Sequence, residues 1–372
     1  MKILSLGAAG FIGSHLTHRL LAEGHEVIAV DVDPDKISEF LDHPKLTFIQ
    51  QDIRTPGWDL EPLVQESDLV IDLIAYANPG LYVRMPLEVF RLNFTENLKI
   101  AESCVRQKKR LIQFSTCEVY GRTVASFEQA RLADPEDPAH ATFSEDTSPF
   151  ILGPVSKHRW IYACGKQLLE RVLHAYGLEH GFKYTIIRPF NFIGPKIDFL
   201  PNEQTDGIPR VFSFFMEALL NGTPMKLVDG GHRRRCYTYI DDAIECTYRI
   251  VENPGGVCDQ QIFNIGSPGN ETSIRQMAYT MREIYAAKFR NPDVPLPEIV
   301  EVTGEEFYGK GYEDSDRRIP DITKARTLLG WEPKWSFRDL LEATMRYYVI
   351  DYRKSARVQP GAAVIESARH CQ

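Results

Sequence analysis

The chain has 372 residues, 43% of them apolar and 25% charged, and 43 basic against 51 acidic side chains leave a formal net charge of -8. These are the proportions of a folded globular chain of about two domains, and the acidic balance excludes a general nucleic-acid or membrane-surface binder, which needs a cationic footprint. No run approaches the roughly 18 apolar residues that span a bilayer, the first residues are too few for a signal segment before a glycine motif begins, and the seven cysteines form no C-x-x-C pair; together these point to a reducing, cytoplasmic setting without a zinc or disulfide framework.

In chain order, strand patterns fall over 3–6, 26–31, 46–50, 69–75, 110–115 and 184–188, with helix patterns over 11–22, 86–105 and 162–176 between them. Short apolar runs separated by helices predict a parallel sheet buried on both faces. The expected fold class is therefore α/β: a Rossmann-type doubly wound parallel sheet over residues 1–194. Beyond a loop rich in Pro, Asn, Asp and Gly at 195–208, the patterns predict helices at 211–220, 241–251, 273–285 and 336–352 and strands at 225–228 and 236–240. Residues 195–354 are read as mainly a smaller C-terminal α/β substrate-binding lobe, with some segments returning to the main sheet. Residues 355–372 read as a frayed tail.

Gly7-Ala8-Ala9-Gly10-Phe11-Ile12-Gly13 lies between the first strand and the first helix. Glycine is needed there for a tight turn and for close approach of the main chain to a pyrophosphate, and the helix start offers unpaired N–H groups to the phosphates. Asp31 ends the second strand, eighteen residues past Gly13, where a carboxylate can accept from both ribose hydroxyls and would repel a 2′-phosphate. NAD is thus expected rather than NADP. Asp52 and Ile53, just after the third strand, are candidates for the adenine.

Tyr162 and Lys166 are four residues apart, on one face of a predicted helix. An ammonium beside a phenol lowers its pKa electrostatically, so a tyrosinate can take a hydroxyl proton while hydride leaves the same carbon. At the C-terminal edge of the fifth strand, where open α/β sheets bind ligands, stands Ser115-Thr116-Cys117-Glu118-Val119-Tyr120-Gly121. Thr116 is placed to hydrogen-bond the reacting hydroxyl.

On these motifs the sequence resembles the extended short-chain dehydrogenase/reductase family, in its nucleotide-sugar branch, over roughly residues 1–353. The resemblance implies NAD as cofactor, no metal, and a homodimer formed by pairing the helices at 86–105 and 162–176. Cys117-Glu118 departs from the Asp-Glu pair of sugar-nucleotide 4,6-dehydratases, and simple 4-epimerases do not usually carry an acid at Glu118. Arg159-Trp160-Ile161-Tyr162, the run from Lys226 to Gly231, Arg235-Cys236 and the run from Tyr308 to Tyr312 are similar to UDP-glucuronate decarboxylases. Cys117, the run from Asp314 to Asp321 and the run from Arg188 to Pro195 are similar to members that form both UDP-apiose and UDP-xylose. UDP-glucuronate is the substrate this implies, with Tyr82, Thr116, Asn191, Lys226, Arg235, Tyr312 and Arg318 on the substrate side. The expected catalytic set is Tyr162, Lys166, Thr116, Cys117, Glu118 and Arg318. A decarboxylase giving only UDP-xylose or the 4-keto pentose, and an enzyme for another nucleotide hexuronate, use the same residues apart from Cys117.

Arg233-Arg234-Arg235 beside a glycine turn suits a diphosphate, which guanidinium grips with a planar fork. Arg210 is a further candidate for a phosphate. A free guanidinium has a pKa above about 12, so for Arg318 holding the substrate carboxylate and steadying an enolate is easier than donating a proton.

Overall fold

Strands that are apolar on both faces have to be covered on both sides, and that requirement shapes the first half of the chain. The computed structural model describes residues 1–123, 134, 136–200, 210–304, 307 and 315–352. In chain order the strands are β1 (Lys2–Leu6), β2 (Glu26–Asp31), β3 (Leu46–Gln50), β4 (Leu69–Asp72), β5 (Arg110–Phe114) and β6 (Tyr184–Pro189). They continue with β7 (Met225–Val228), β8 (Arg234–Cys236) and β9 (Gln261–Ile265). Seven of them form one parallel sheet in the order β9-β6-β5-β4-β1-β2-β3. The order reverses between β1 and β4, so the C-terminal ends of those two strands open a crevice, the usual ligand position in such sheets.

The helices that cover the sheet begin with α1 (Phe11–Ala22) directly after β1, burying Leu16, Leu20 and Leu21. The predicted helix at 86–105 is a run, here α2, of Pro86–Phe90, Arg91–Glu96 and Asn97–Arg106, whose middle turn is widened to i→i+5 bonding. Such a bulge is costly and tends to mark a functional face; Asn97, just past it, points at the active-site lysine described below. α3 (Ile161–His180) outruns the expected 162–176. Gly177 does not stop it, because a Cβ there would lie 2.9 Å from Cε1 of Tyr184; the glycine lets α3 press onto β6.

The chain beyond residue 195 is not confined to one lobe. β9 pairs with β6 at the sheet edge, with Gln261 opposite Thr185 and Ile265 opposite Pro189, and α5 (Ile240–Glu252) packs on α1. Around these lie α4 (Val211–Asn221), α6 (Ile274–Ile284) and α7 (Phe337–Arg346). The strand expected over 236–240 divides into Arg234–Cys236 and Thr238–Tyr239, and Ile240 opens α5 instead. Asp241 and Asp242 in the first turn favour that helix start, where the macrodipole is positive. Asp242 also accepts the backbone N–H groups of Lys334 (2.9 Å) and Trp335 (3.0 Å), tying the last helical segment to α5. Among the described residues no helix is long and apolar enough to cross a membrane. The tail at 353–372 lies outside the described residues.

Candidate active site

The glycine turn is built without room for side chains. Gly7 has φ +78°, and a Cβ on Gly13 would sit 2.2 Å from the carbonyl oxygen of Gly7 and 2.8 Å from backbone atoms of Ala8. The N-cap of α1 is Gly10, with no side-chain cap and no acid in the first turn, so the first N–H groups of the helix stay available. Asp31 accepts from Ala9 N–H (2.8 Å) and Val32 N–H (2.7 Å). Burial raises its pKa, opposed by those N–H bonds. A glycine cradle, an uncapped helix start and an acid bonded to the cradle are the parts a dinucleotide's pyrophosphate and ribose need. Gly13→Ala is expected to lose bound nucleotide and to unfold at lower temperature, by about 1–3 kcal/mol of overpacking strain, since the atoms it meets are main chain; the absorbance ratio of the purified protein and its melting curve measure both.

Asp52 and Ile53 stand just after β3 in the loop that follows the sheet edge. Asp52 is gripped by Arg54 through Nε (3.0 Å) and Nη2 (2.7 Å), which holds its carboxyl below the usual range. Ile53 packs with Trp58 and Leu60 against the core.

From the glycine turn a cavity of about 980 Å³ runs across the crevice into the second lobe. It is lined by Gly7, Gly10, Phe11, Ile12 and Gly13 at one end and by Lys226, Arg233, Arg235 and Tyr237 at the other. Tyr162, Thr116, Cys117, Glu118, Tyr82, Asn191 and Arg318 line its middle, so residues drawn from across the sequence meet in one space. Asn78 caps the short helix Pro79–Arg84 by accepting from Gly80 N–H (2.9 Å), which delivers Tyr82. The Tyr82 ring stacks on Tyr162 with centroids 4.6 Å apart and planes 14° from parallel.

Tyr162 is 5% exposed, and its hydroxyl shares a hydrogen bond with Thr116. Thr116 also accepts the N–H of Glu118 (3.1 Å), which fixes the turn after β5. Lys166 is buried one turn along α3, and its Nζ donates to Asn97 Oδ1 and to the Phe114 carbonyl, each at 3.0 Å. Burial pushes this lysine down to about 8, against the raising effect of Asp72 and Glu170. Burial drives the Tyr162 phenol upward, opposed by the Thr116 hydrogen bond, while Lys166 is turned to Asn97 and the strand.

Beside that pair lies a buried charged cluster. Glu118 accepts from Arg318 Nη2 at 2.7 Å through one oxygen and from Arg159 Nη1 at 2.6 Å through the other. Arg318 Nη1 also points at the Cys117 sulfur, 3.7 Å away. Arg159 is 3% and Arg318 2% exposed. Sequence alone assigns Arg159 no role; it lies in the turn His158–Trp160 that leads into α3, three residues before Tyr162, and that spacing is the signal that could find it. Arg317, the neighbour of Arg318, instead turns out to Glu271 (2.8 Å through Nη2).

At the far end the arginine triplet alternates as β8 dictates. Arg233 and Arg235 line the cavity, while Arg234 turns to Glu136 (3.2 Å). Arg235 is buried and held by the carbonyls of Arg234 (2.7 Å) and Asp316 (3.3 Å). Asn191 sits at φ +43°, and its buried Nδ2 has no hydrogen-bond partner among the described residues, as expected of a group kept for a ligand. Arg210 lines the cavity too and is bonded to Asp198. Tyr312 lies outside the described residues.

The sheet with its reversal point, the glycine cradle and the Tyr–Lys helix facing one cavity define a dinucleotide-dependent oxidoreductase of the Rossmann class. The chain belongs to the NAD dependent epimerase/dehydratase family, whose pattern it matches over residues 3–266. It is 43% identical over 376 aligned positions to the UDP-D-apiose/UDP-D-xylose synthase of Oryza sativa subsp. japonica, covering 99% of this chain and 94% of the rice protein. Among solved structures it is similar to the PbgP3 protein of Burkholderia pseudomallei, with a TM-score of 0.81 and 36% identity over 95% of this chain and 98% of that one. It is similar as well to the UDP-glucuronic acid 4-epimerase of Bacillus cereus, crystallised with UDP-glucuronic acid and NAD, with a TM-score of 0.74 and 25% identity over 93% and 98%.

Proposed function

We infer that the protein carries out NAD-dependent oxidative decarboxylation of UDP-glucuronate through a UDP-4-keto intermediate, giving UDP-apiose and UDP-xylose. The near full-length likeness to the rice synthase supports the substrate and both products. The observation that carries the reading is the buried cluster of Arg159, Arg318, Glu118 and Cys117 next to Tyr162. Two guanidiniums meet at one carboxylate there, beside the tyrosine and lining the cavity, and the planar fork of a guanidinium is the group that recognises the carboxylate of a hexuronate.

Bound NAD+ supplies the acceptor for hydride from C4 of the sugar and its later return. Tyr162 takes the O4 proton, and Thr116 holds the same hydroxyl in line. The ketone lies β to the carboxylate on C5, so the electrons of the breaking carbon–carbon bond have somewhere to go when CO2 leaves. Arg318 then faces an enolate instead of a carboxylate and steadies it as a fixed cation. For the branched product the C2–C3 bond opens by retro-aldol cleavage and recloses as a five-membered ring. Cys117, with Glu118 and Tyr162, moves the protons for that step. A thiol is several units more acidic than a serine hydroxyl and its acidity is tunable.

Asn191, Lys226 and Arg235 hold the diphosphate, Tyr82 borders the sugar, and Asp31 takes the ribose hydroxyls. The first 194 residues form the NAD-binding part and most of 195–354 the UDP-sugar lobe. The protein is assigned to the cytoplasm as a homodimer, with the exposed Leu87 and Leu168 on the outer faces of α2 and α3 available for pairing.

Incubation with UDP-glucuronate and NAD+, following CO2 and the sugar products by NMR, tests the reading; no CO2 from UDP-glucuronate overturns it. Cys117→Ser is expected to keep CO2 release and UDP-xylose while losing UDP-apiose. An unchanged rate of apiose formation removes the thiol from the mechanism.

A further inference from the structure

The active-site lysine sits in a buried layer of charge whose members the reaction above does not use. Lys166 has three N–H bonds to place. One goes to Asn97 and one to the Phe114 carbonyl. The same Phe114 carbonyl accepts from Gln113 Nε2 (3.3 Å), and that amide also donates to Asp72 Oδ2 (2.9 Å). The two strands put these groups side by side, since Asp72 of β4 and Gln113 of β5 are direct register partners. A continuous chain therefore runs from the Asp72 carboxylate through the Gln113 amide and the Phe114 carbonyl to the Lys166 ammonium.

Charge accounting around the lysine singles out Asp72. On the lysine's own helix Glu170 is already neutralised by Arg188 of β6, which grips it through Nε (3.0 Å) and Nη2 (2.6 Å). Ser115, just past β5, donates to Glu170 as well (2.5 Å). Glu118, after β5, is taken by Arg159 and Arg318. α2 offers the neutral Asn97 and the Cys104 thiol, whose pKa burial drives upward. β5 presents the Phe114 carbonyl. Asp72 itself is 0% exposed and its other oxygen accepts Ile74 N–H (2.9 Å), so its hydrogen bonds come from neutral groups alone. A buried carboxylate without a counter-charge is costly, and the cation its surroundings offer is Lys166.

We propose that Asp72 is a positioning residue for this enzyme, acting through Gln113 and the Phe114 carbonyl to keep Lys166 charged and aimed within the active site. The proposal rests on the reading of Tyr162 as the group that takes the sugar proton, with Lys166 one turn along the same helix as its expected partner. It extends the site one layer inward, to the end of a strand whose sequence reads as plain apolar core. The sign is set by electrostatics: removing a buried anion near an ammonium makes that ammonium easier to deprotonate.

The test follows Lys166 directly in the full chain labelled with carbon-13 at lysine, its resonance identified as the one lost in Lys166→Met. In the wild-type protein that signal is expected to titrate near pH 8. In Asp72→Asn the midpoint should fall by about one pH unit, the scale on which a nearby opposite charge moves a titration, and the alkaline limb of kcat for UDP-glucuronate should move down with it. A purely structural role would scale the rate at every pH and leave the midpoint in place. A folded Asp72→Asn protein with an unmoved midpoint overturns the proposal. Should that variant fail to fold, Gln113→Met, which breaks the bridge but keeps the carboxylate, decides by the same midpoint. Turnover of UDP-glucuronate by wild type, run alongside, reports separately on the substrate assignment, because the NMR titration needs no substrate.

Discussion

Tyr162→Phe is expected to lower kcat for UDP-glucuronate by about 10²–10⁴-fold, the usual contribution of a positioned acid–base group, with little change in nucleotide binding. The ring would still fill its place against Tyr82, 4.6 Å away, so packing survives. What disappears is the one hydroxyl joined to Thr116 in the centre of the cavity. Because burial drives the free phenol upward, the proton is surrendered only with the sugar hydroxyl and a positive acceptor in place. The oxidation step should therefore fail in the variant even at high pH. Absorbance of reduced nicotinamide after rapid mixing and release of labelled CO2 measure the two steps, and both should fall together. A loss under about tenfold would shift the role of base to Glu118 or Cys117.

Glu118→Gln should be the most damaging isosteric change at the site. The amide keeps the volume and removes a carboxylate that two buried arginines share. Breaking a buried pair from one side costs about 3–5 kcal/mol, because the partner charge remains buried, and here two guanidiniums lose that carboxylate at once. A large drop in melting temperature and near loss of decarboxylation are expected. UDP-glucuronate should restore more of the melting temperature than UDP-glucose does, since its carboxylate brings back a negative charge beside the arginines. Equal protection by the two nucleotides would show that the arginines do not hold the substrate acid.

The parts of this site that sequence made legible are contiguous. The glycine turn, Asp31, the Tyr–Lys spacing and Ser115 to Glu118 each sit within one strand–turn–helix step, where the period of the backbone decides what faces what. The parts it hid are joined across the chain. Arg318 reaches Glu118 and Cys117 from 200 residues away and more, and a guanidinium in a charged loop gave no sign of being buried. Asp52 pairs with its near neighbour Arg54, a contact the sequence did not name. Gln261 to Ile265 resembles any short strand until it is seen pairing with β6.

Local chemistry alone settled the Rossmann architecture and the kind of cofactor, and it put forward the residues proposed to exchange a proton with the sugar, because turns, helix faces and strand ends are written in neighbouring side chains. Tertiary structure alone decided the charge state of the site. Which arginine meets which acid, and which buried carboxylate stands behind Lys166, depends on distances between segments that the chain brings together only by folding, and electrostatic energy falls with distance in space rather than along the sequence.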